Sequence, residues 1–235
     1  MPPITLIIFD CDGVLIDSEI ISARMLVAEL ARLGVSIDLA YVTRHFLGRS
    51  YPVVMQQIRQ DFGLDLPPAF ETAYRERLLA AFEADLAIMP GVADVLGRVA
   101  LPFCVATSSS QGRAERSLAL VGLGHLAGPR LFTAAAVARG KPAPDLFLHA
   151  AAACGADPAA CLVIEDSLTG IRAARAAGME VWRFTGGSHL AGQGGSEAPD
   201  ATPDRQFDRF GDFFGIDPRV RSRVSGGGQF EIWRG

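Results

Sequence analysis

Two kinds of segment alternate along this chain. Short, near-continuous apolar runs recur at residues 4–9, 103–106, 161–164 and 181–184, with a weaker one at 131–133. They lack the in/out alternation of a strand with one wet face, and so predict strands covered on both faces. Helical patterns at residues 111–121, 144–154 and 168–177 lie between them. Strands and helices in this order predict an α/β fold, a doubly wound parallel sheet whose active site lies at the carboxyl ends of the strands. One interval breaks the alternation. From residue 18 to 89 the pattern is helical throughout (18–33, 38–46, 50–62 and 68–83), punctuated by Gly34, Gly48, Gly63 and the Pro67-Pro68 pair. We expect residues 17–89 to form a small helical domain inserted after the first strand, and residues 1–16 and 90–215 to form the sheet domain. An insertion at that place can close over a site as a lid. Residues 192–204 read as a loop and 207–214 as a last element on the sheet. Residues 216–235 read as a tail, poorly ordered from residue 219 on.

Composition narrows the function classes. A chain of 235 residues can bury a full core, and 22 basic against 26 acidic residues give a net charge of −4. That balance argues against a nucleic-acid surface or a polybasic membrane anchor, but leaves room for an anionic small molecule in a locally positive pocket. The four cysteines, Cys11, Cys104, Cys154 and Cys161, show no metal-ligand spacing and read as reduced core residues. No basic-then-apolar leader and no membrane-spanning stretch is visible, so the expectation is a soluble, cytoplasmic protein, monomeric or weakly self-associating.

The strand ends carry the candidate chemistry. Asp10 and Asp12 close the first run, with Gly13 permitting a tight turn. Two carboxylates this close repel each other and call for a cation, and Mg²⁺ favours such oxygen ligands. One can attack phosphorus and form an aspartyl-phosphate; the other can protonate the leaving oxygen and later activate water. Taken alone, Asp-x-Asp-Gly also reads as an ordinary loop or a calcium-loop fragment. Thr107, Ser108 and Ser109 end the second run before a helix, where hydroxyls and free N–H groups suit a phosphate, though Ser110 also reads as a plain helix cap. Lys141, between Gly140 and two nearby prolines, is placed to neutralise a phosphoryl group. Glu165 and Asp166 end the fourth run and can share a metal with Asp10 and Asp12, Asp166 directly and Glu165 directly or through water. Asp166 or Ser167 reads equally as a cap of the helix that follows.

The ordered set Phe9-Asp10-Cys11-Asp12-Gly13-Val14-Leu15-Ile16-Asp17-Ser18-Glu19, Thr107, Lys141 and Glu165-Asp166 resembles the four motifs of the haloacid dehalogenase superfamily. Its helical insertion resembles that family's C1 cap. The resemblance implies a Rossmann-like core, Mg²⁺ as cofactor, and a phosphatase acting on a small phosphorylated metabolite, a sugar or sugar-acid phosphate, through an aspartyl-phosphate. Residues 10–24 and 177–179 look most like the β-phosphoglucomutase-like, 6-phosphogluconate-phosphatase-like branch. A sugar phosphomutase and a non-catalytic phosphometabolite-binding protein are the alternatives. Asp12, which dehalogenases lack, favours phosphoryl transfer; Ser22, where the mutases and many phosphatases of this branch carry a histidine, weakens the mutase reading more than the phosphatase reading. Arg49, in the junction 47–50, is placed to hold a distal group of the substrate; a solvated arginine is the equal alternative. His45, His125, His149 and His189 share no ligand spacing and are assigned no chemistry.

Overall fold

The computed structural model describes residues 3–46, 48–64, 66, 68–191 and 198–220. The sheet follows from the apolar runs. Its strands are β1 (Leu6–Phe9), β2 (Phe103–Thr107), β3 (Leu131–Thr133), β4 (Cys161–Glu165), β5 (Glu180–Phe184) and β6 (Arg205–Phe207). Among the described residues they form one parallel sheet of six strands in the order β3-β2-β1-β4-β5-β6. Every residue of β1 is buried. Ile7 and Phe9 belong to one apolar cluster with Val105, Ile164 and Trp182, while Leu6 and Ile8 belong to another with Cys104, Ala106 and Val163. Two wet-free faces are why the runs show no alternation.

Helices cover both faces. The first cluster draws on α5 (Val92–Arg98), α6 (Gln111–Leu120) and α9 (Phe213–Ile216); the second on α7 (Asp145–Ala153) and α8 (Leu168–Ala176). The strand order reverses beside β1, where doubly wound sheets open a crevice at their carboxyl ends. The helical interval forms α1 (Glu19–Arg32), α2 (Leu39–His45), α3 (Tyr51–Phe62) and α4 (Pro68–Asp85). These bury their own cluster, with Ala23, Leu26 and Leu30 on α1 facing Phe70, Tyr74, Leu78 and Phe82 on α4 at helical spacing. α1 and α4 pack against each other, and α4 also touches α6 of the sheet domain.

The fold differs from the pattern reading in four places. Helix α5 and strand β6 carried no strong signal. The last element is a strand and a short helix, with Phe207, Phe210 and Phe213 packed into the core. The reading of residue 219 onward as a poorly ordered tail fails at its first two residues: Arg219 donates to Asp217 and Glu180, and Val220 is 1% exposed. Cys154 lies exposed at the end of α7, whereas Cys11, Cys104 and Cys161 are buried thiols. Residues 192–197 of the expected loop, 221–235 of the tail, Leu47 of the 47–50 junction and Pro67 of the proline pair lie outside the described residues. No described helix is long and apolar enough to cross a membrane.

Candidate active site

The ends of β1, β2 and β4 bring the predicted residues together. The Asp10 N–H donates to Ile164 O at 2.9 Å, which sets Asp10 beside the end of β4. Lys141 arrives from the loop before α7 with its side chain 1% exposed. Its Nζ donates to Asp10 Oδ1 at 2.6 Å, Glu165 Oε1 at 2.8 Å and Ala106 O at 3.3 Å, and stands 4.8 Å from the centre of the Phe147 ring. Burial works against this charge, but Asp10 and Glu165 outweigh it and hold the ammonium above the ordinary lysine range.

Glu165 is fully engaged. One oxygen accepts from Lys141, and the other accepts from Ser167 N at 2.7 Å and Ser167 Oγ at 2.9 Å. Ser167 Oγ in turn accepts from Gly170 N at 3.0 Å, capping α8. A side chain at Gly170 would collide with the Glu165 carboxylate, so this helix turn requires glycine. Gly13, at φ +79°, makes the turn after Asp12, and a Cβ there would strike Asp166.

Asp10, Glu165 and Asp166 each place a carboxylate oxygen within 4.8 Å of the others, all buried. Burial and neighbouring carboxylates push Asp10 and Asp166 well above the ordinary range, with Lys141 pulling both back. Asp166 Oδ2 is a buried oxygen without a hydrogen bond, 2.9 Å from His189 Nε2. Three buried acids with one lysine leave an excess of negative charge, and an oxygen donor set of this kind fits a hard divalent cation.

The Asp12 carboxylate stands apart from that cluster. Its Oδ1 accepts from Ser18 Oγ at 2.6 Å and Arg113 Nη2 at 3.0 Å, and its Oδ2 from Ser109 Oγ at 2.7 Å and Thr107 Oγ1 at 3.2 Å. Burial would raise its pKa; Arg113 and the hydroxyls of Ser18, Ser109 and Thr107 prevail and hold it below the ordinary range. The two aspartates therefore escape their mutual repulsion through separate cations, Lys141 for Asp10 and Arg113 for Asp12. Thr107 and Ser109 face this carboxylate, and Thr107 Oγ1 also accepts from Ser109 N at 3.0 Å. Ser108 Oγ donates to Gly48 O at 3.1 Å, joining the β2 loop to the helical insertion. Ser110 makes no side-chain cap on α6. Arg49 is exposed and donates to Gln57 Oε1 at 2.8 Å, away from the aspartates, although it lines the same cavity.

That cavity, about 480 Å³, opens over Asp10 and Asp12 and runs between the helices of the insertion. Sequence reasoning missed three of its residues. Arg113, in the first turn of α6, bonds Asp12 and also donates to Ser22 Oγ at 3.2 Å, with its guanidinium 5.2 Å from the centre of the Phe82 ring. Its signal was a basic residue in the first turn of the helix after the hydroxyl run. Glu19, at the start of α1, is pushed up to about 8 by burial and by Asp12 and Asp166. His189, set aside above, stands beside Asp166 in a turn after β5, and burial lowers its pKa. No spacing in the sequence pointed to it.

These strand-end motifs and the sheet order define a hydrolase class. The haloacid dehalogenase-like hydrolase profile matches residues 4–178, and the chain belongs to that family; together with its phosphatase relatives, this makes it a phosphoric monoester hydrolase. It is 29% identical over 190 residues to the 6-phosphogluconate phosphatase of Escherichia coli, covering 80% of this chain and 86% of that enzyme. It is 35% identical over 179 residues to the Escherichia coli fructose-1-phosphate phosphatase YqaB, covering 74% of this chain and 93% of the relative. Among solved structures, a conserved haloacid dehalogenase-like protein from Agrobacterium tumefaciens superposes with a TM-score of 0.77 at 35% identity, over 91% of this chain and 97% of the other.

Proposed function

We propose that the chain is a Mg²⁺-dependent phosphatase that hydrolyses a small phosphorylated metabolite, a sugar or sugar-acid phosphate, through an aspartyl-phosphate on Asp10. The observation that carries this reading is the division of labour between two aspartates two residues apart. Asp10 lies among Lys141, Glu165 and Asp166, where an incoming phosphoryl group meets a fixed ammonium. Asp12 lies on the other side, held as an anion by Arg113 and three hydroxyls. Asp10 attacks phosphorus, and the leaving oxygen departs toward Asp12. Asp12, ionised, then takes a proton from the water that releases phosphate.

To protonate the leaving oxygen first, Asp12 must carry a proton, which requires Arg113 to loosen its hold. Arg113 also touches Ser22 on α1 and Phe82 on α4, so that loosening is tied to the position of the insertion, which we take as a cap spanning residues 17–89. Ser22, standing where the mutases carry a histidine, supports the phosphatase reading over the mutase; here it accepts from Arg113. Asp10 and Asp166 would hold Mg²⁺, with the Asp12 carbonyl and with Glu165 directly or through water, while Glu165 also anchors Lys141. Bound there, the ion supplies positive charge that keeps Asp10 ionised and offsets the phosphoryl group. Thr107, Ser108 and Ser109, with the turn at Gly13, form the phosphate end of the site, and Arg49 remains a candidate for the distal end. Three buried free thiols support a cytoplasmic setting.

The test is phosphate release from a panel of sugar and sugar-acid phosphates with Mg²⁺, compared with Asp10→Asn. The expected loss is roughly a thousandfold or more in kcat. Equal turnover by the variant would remove Asp10 as the nucleophile.

A further inference from the structure

The cavity above the aspartates changes character along its length, and two helices give the scale. On α1, Glu19 and Ser22 face it in the turn nearest the sheet, and Leu26 faces it one turn farther out. On α4, Phe82 packs against Arg113, while Leu78 and Tyr74 line the cavity one and two turns beyond. At 1.5 Å per residue, the step from Phe82 to Tyr74 carries the cavity roughly 12 Å past the Arg113 layer.

In that outer stretch the walls include Leu26, Val42, Val54, Met55 and Leu78, each less than 8% exposed and part of the insertion's own apolar cluster. The rings of Tyr51 and Tyr74 add a flat surface, stacked 5.3 Å apart and 20° from parallel. The Thr43 hydroxyl in this wall donates to Leu39 O within its own helix. Nearer the sheet the lining is polar: Ser22, Arg113 and the hydroxyls of residues 107–110. Arg49, Ser50 and Arg75 also line the cavity, but Arg49 donates to Gln57 Oε1 and Arg75 lies over the Tyr51 ring. Against the five apolar side chains themselves, a sugar hydroxyl loses water and gains no partner, whereas an alkyl or aromatic group gains by leaving water.

We infer that the substrate is a phosphomonoester with a polar, sugar- or polyol-like segment beside the phosphate and an apolar ring or chain at its far end. The inference rests on the phosphatase reading above, and names the part of the substrate that the insertion selects. Val42, Val54, Met55 and Leu78 are then the specificity-determining residues.

Matched substrates test it on the full chain with Mg²⁺: glucose 6-phosphate and ribose 5-phosphate, each against its phenyl β-glycoside, with glycerol 3-phosphate alongside. The expected result is a kcat/KM at least tenfold higher for the phenyl glycoside in a pair, carried mainly by a lower KM, because the contact is remote from the reacting bond. Val54→Thr, which keeps its shape, and Leu78→Asn should each cut that ratio at least threefold. A ratio measured within one preparation is unaffected by how much of the variant is folded. Phosphate release without phenyl preference in every pair that turns over overturns this inference and leaves the phosphatase reading standing. No phosphate from any of the five substrates overturns both.

Discussion

On the sheet side, Asp10, Asp12, Lys141 and Glu165 are buried and hydrogen-bonded to one another, to Arg113 or to hydroxyls, and Asp166 is buried beside His189. On the helical side, the side chains of Leu26, Val42, Val54, Met55 and Leu78 carry no polar atom, with Arg49, Ser50 and Arg75 as polar neighbours in the same lining. The first group cannot change one member without leaving a buried charge unpaired, so it fixes a single reaction. The second tolerates exchange among apolar residues of similar volume, so the accepted molecule can change while the chemistry stays. The difference locates reaction class in the floor and substrate choice in the walls.

Lys141→Ala tests the floor most severely. It leaves Asp10 and Glu165 facing each other without their shared cation, and we expect about 3 kcal/mol of lost stability in urea unfolding. The same variant should lower kcat about a thousandfold, since the ammonium faces the phosphoryl group. A stable Lys141→Ala enzyme with near-normal kcat would erase the distinction between floor and walls. Arg113→Lys acts at the boundary. Lysine keeps the charge but loses the planar fork that reaches Asp12 and Ser22 while lying over Phe82. The expected loss is roughly tenfold in kcat; a change confined to KM would move Arg113 from the floor to the walls.

Glu19 gives the smallest effect and a pH signature. With its folded pKa raised to about 8 from 4.5, the folded chain binds more protons than the unfolded chain across that interval. Its contribution to stability is therefore most favourable at low pH and is lost as pH rises toward 8. Thermal unfolding followed from pH 5 to 9 should show a decline in Tm that Glu19→Gln flattens. An unchanged slope in the variant would mean that the carboxylate is not held in the desolvated wall of the cavity.

What was legible in the sequence follows from how each part is encoded. The central strands are covered on both faces, so apolar runs announced them, and Asp10, Thr107 and Asp166 stood where those runs stop. β6 is an edge strand whose Arg205 and Gln206 remain partly or fully exposed, so only Phe207 marked it. The seven residues of α5 are too few for a clear period. Arg113 could not be told from its neighbours, because only the packing of α6 decides which side chain of that turn reaches Asp12. His189 meets Asp166 through a long-range contact that no local spacing records. The aspartate pair itself called for a cation, as read; the fold answers with Lys141 and Arg113 before any metal is considered, which separates the roles of Asp10 and Asp12.

The central claim is that Asp10 becomes phosphorylated while Asp12 does not. Acid-quenching the enzyme during turnover with Mg²⁺, then mapping phosphorylated peptides by mass spectrometry, tests it directly. The account predicts one phosphoryl group, on Asp10, that disappears when substrate is exhausted. Steady phosphate release with no phosphoryl group on Asp10 at any quench time, or with the group on Asp12, would contradict it.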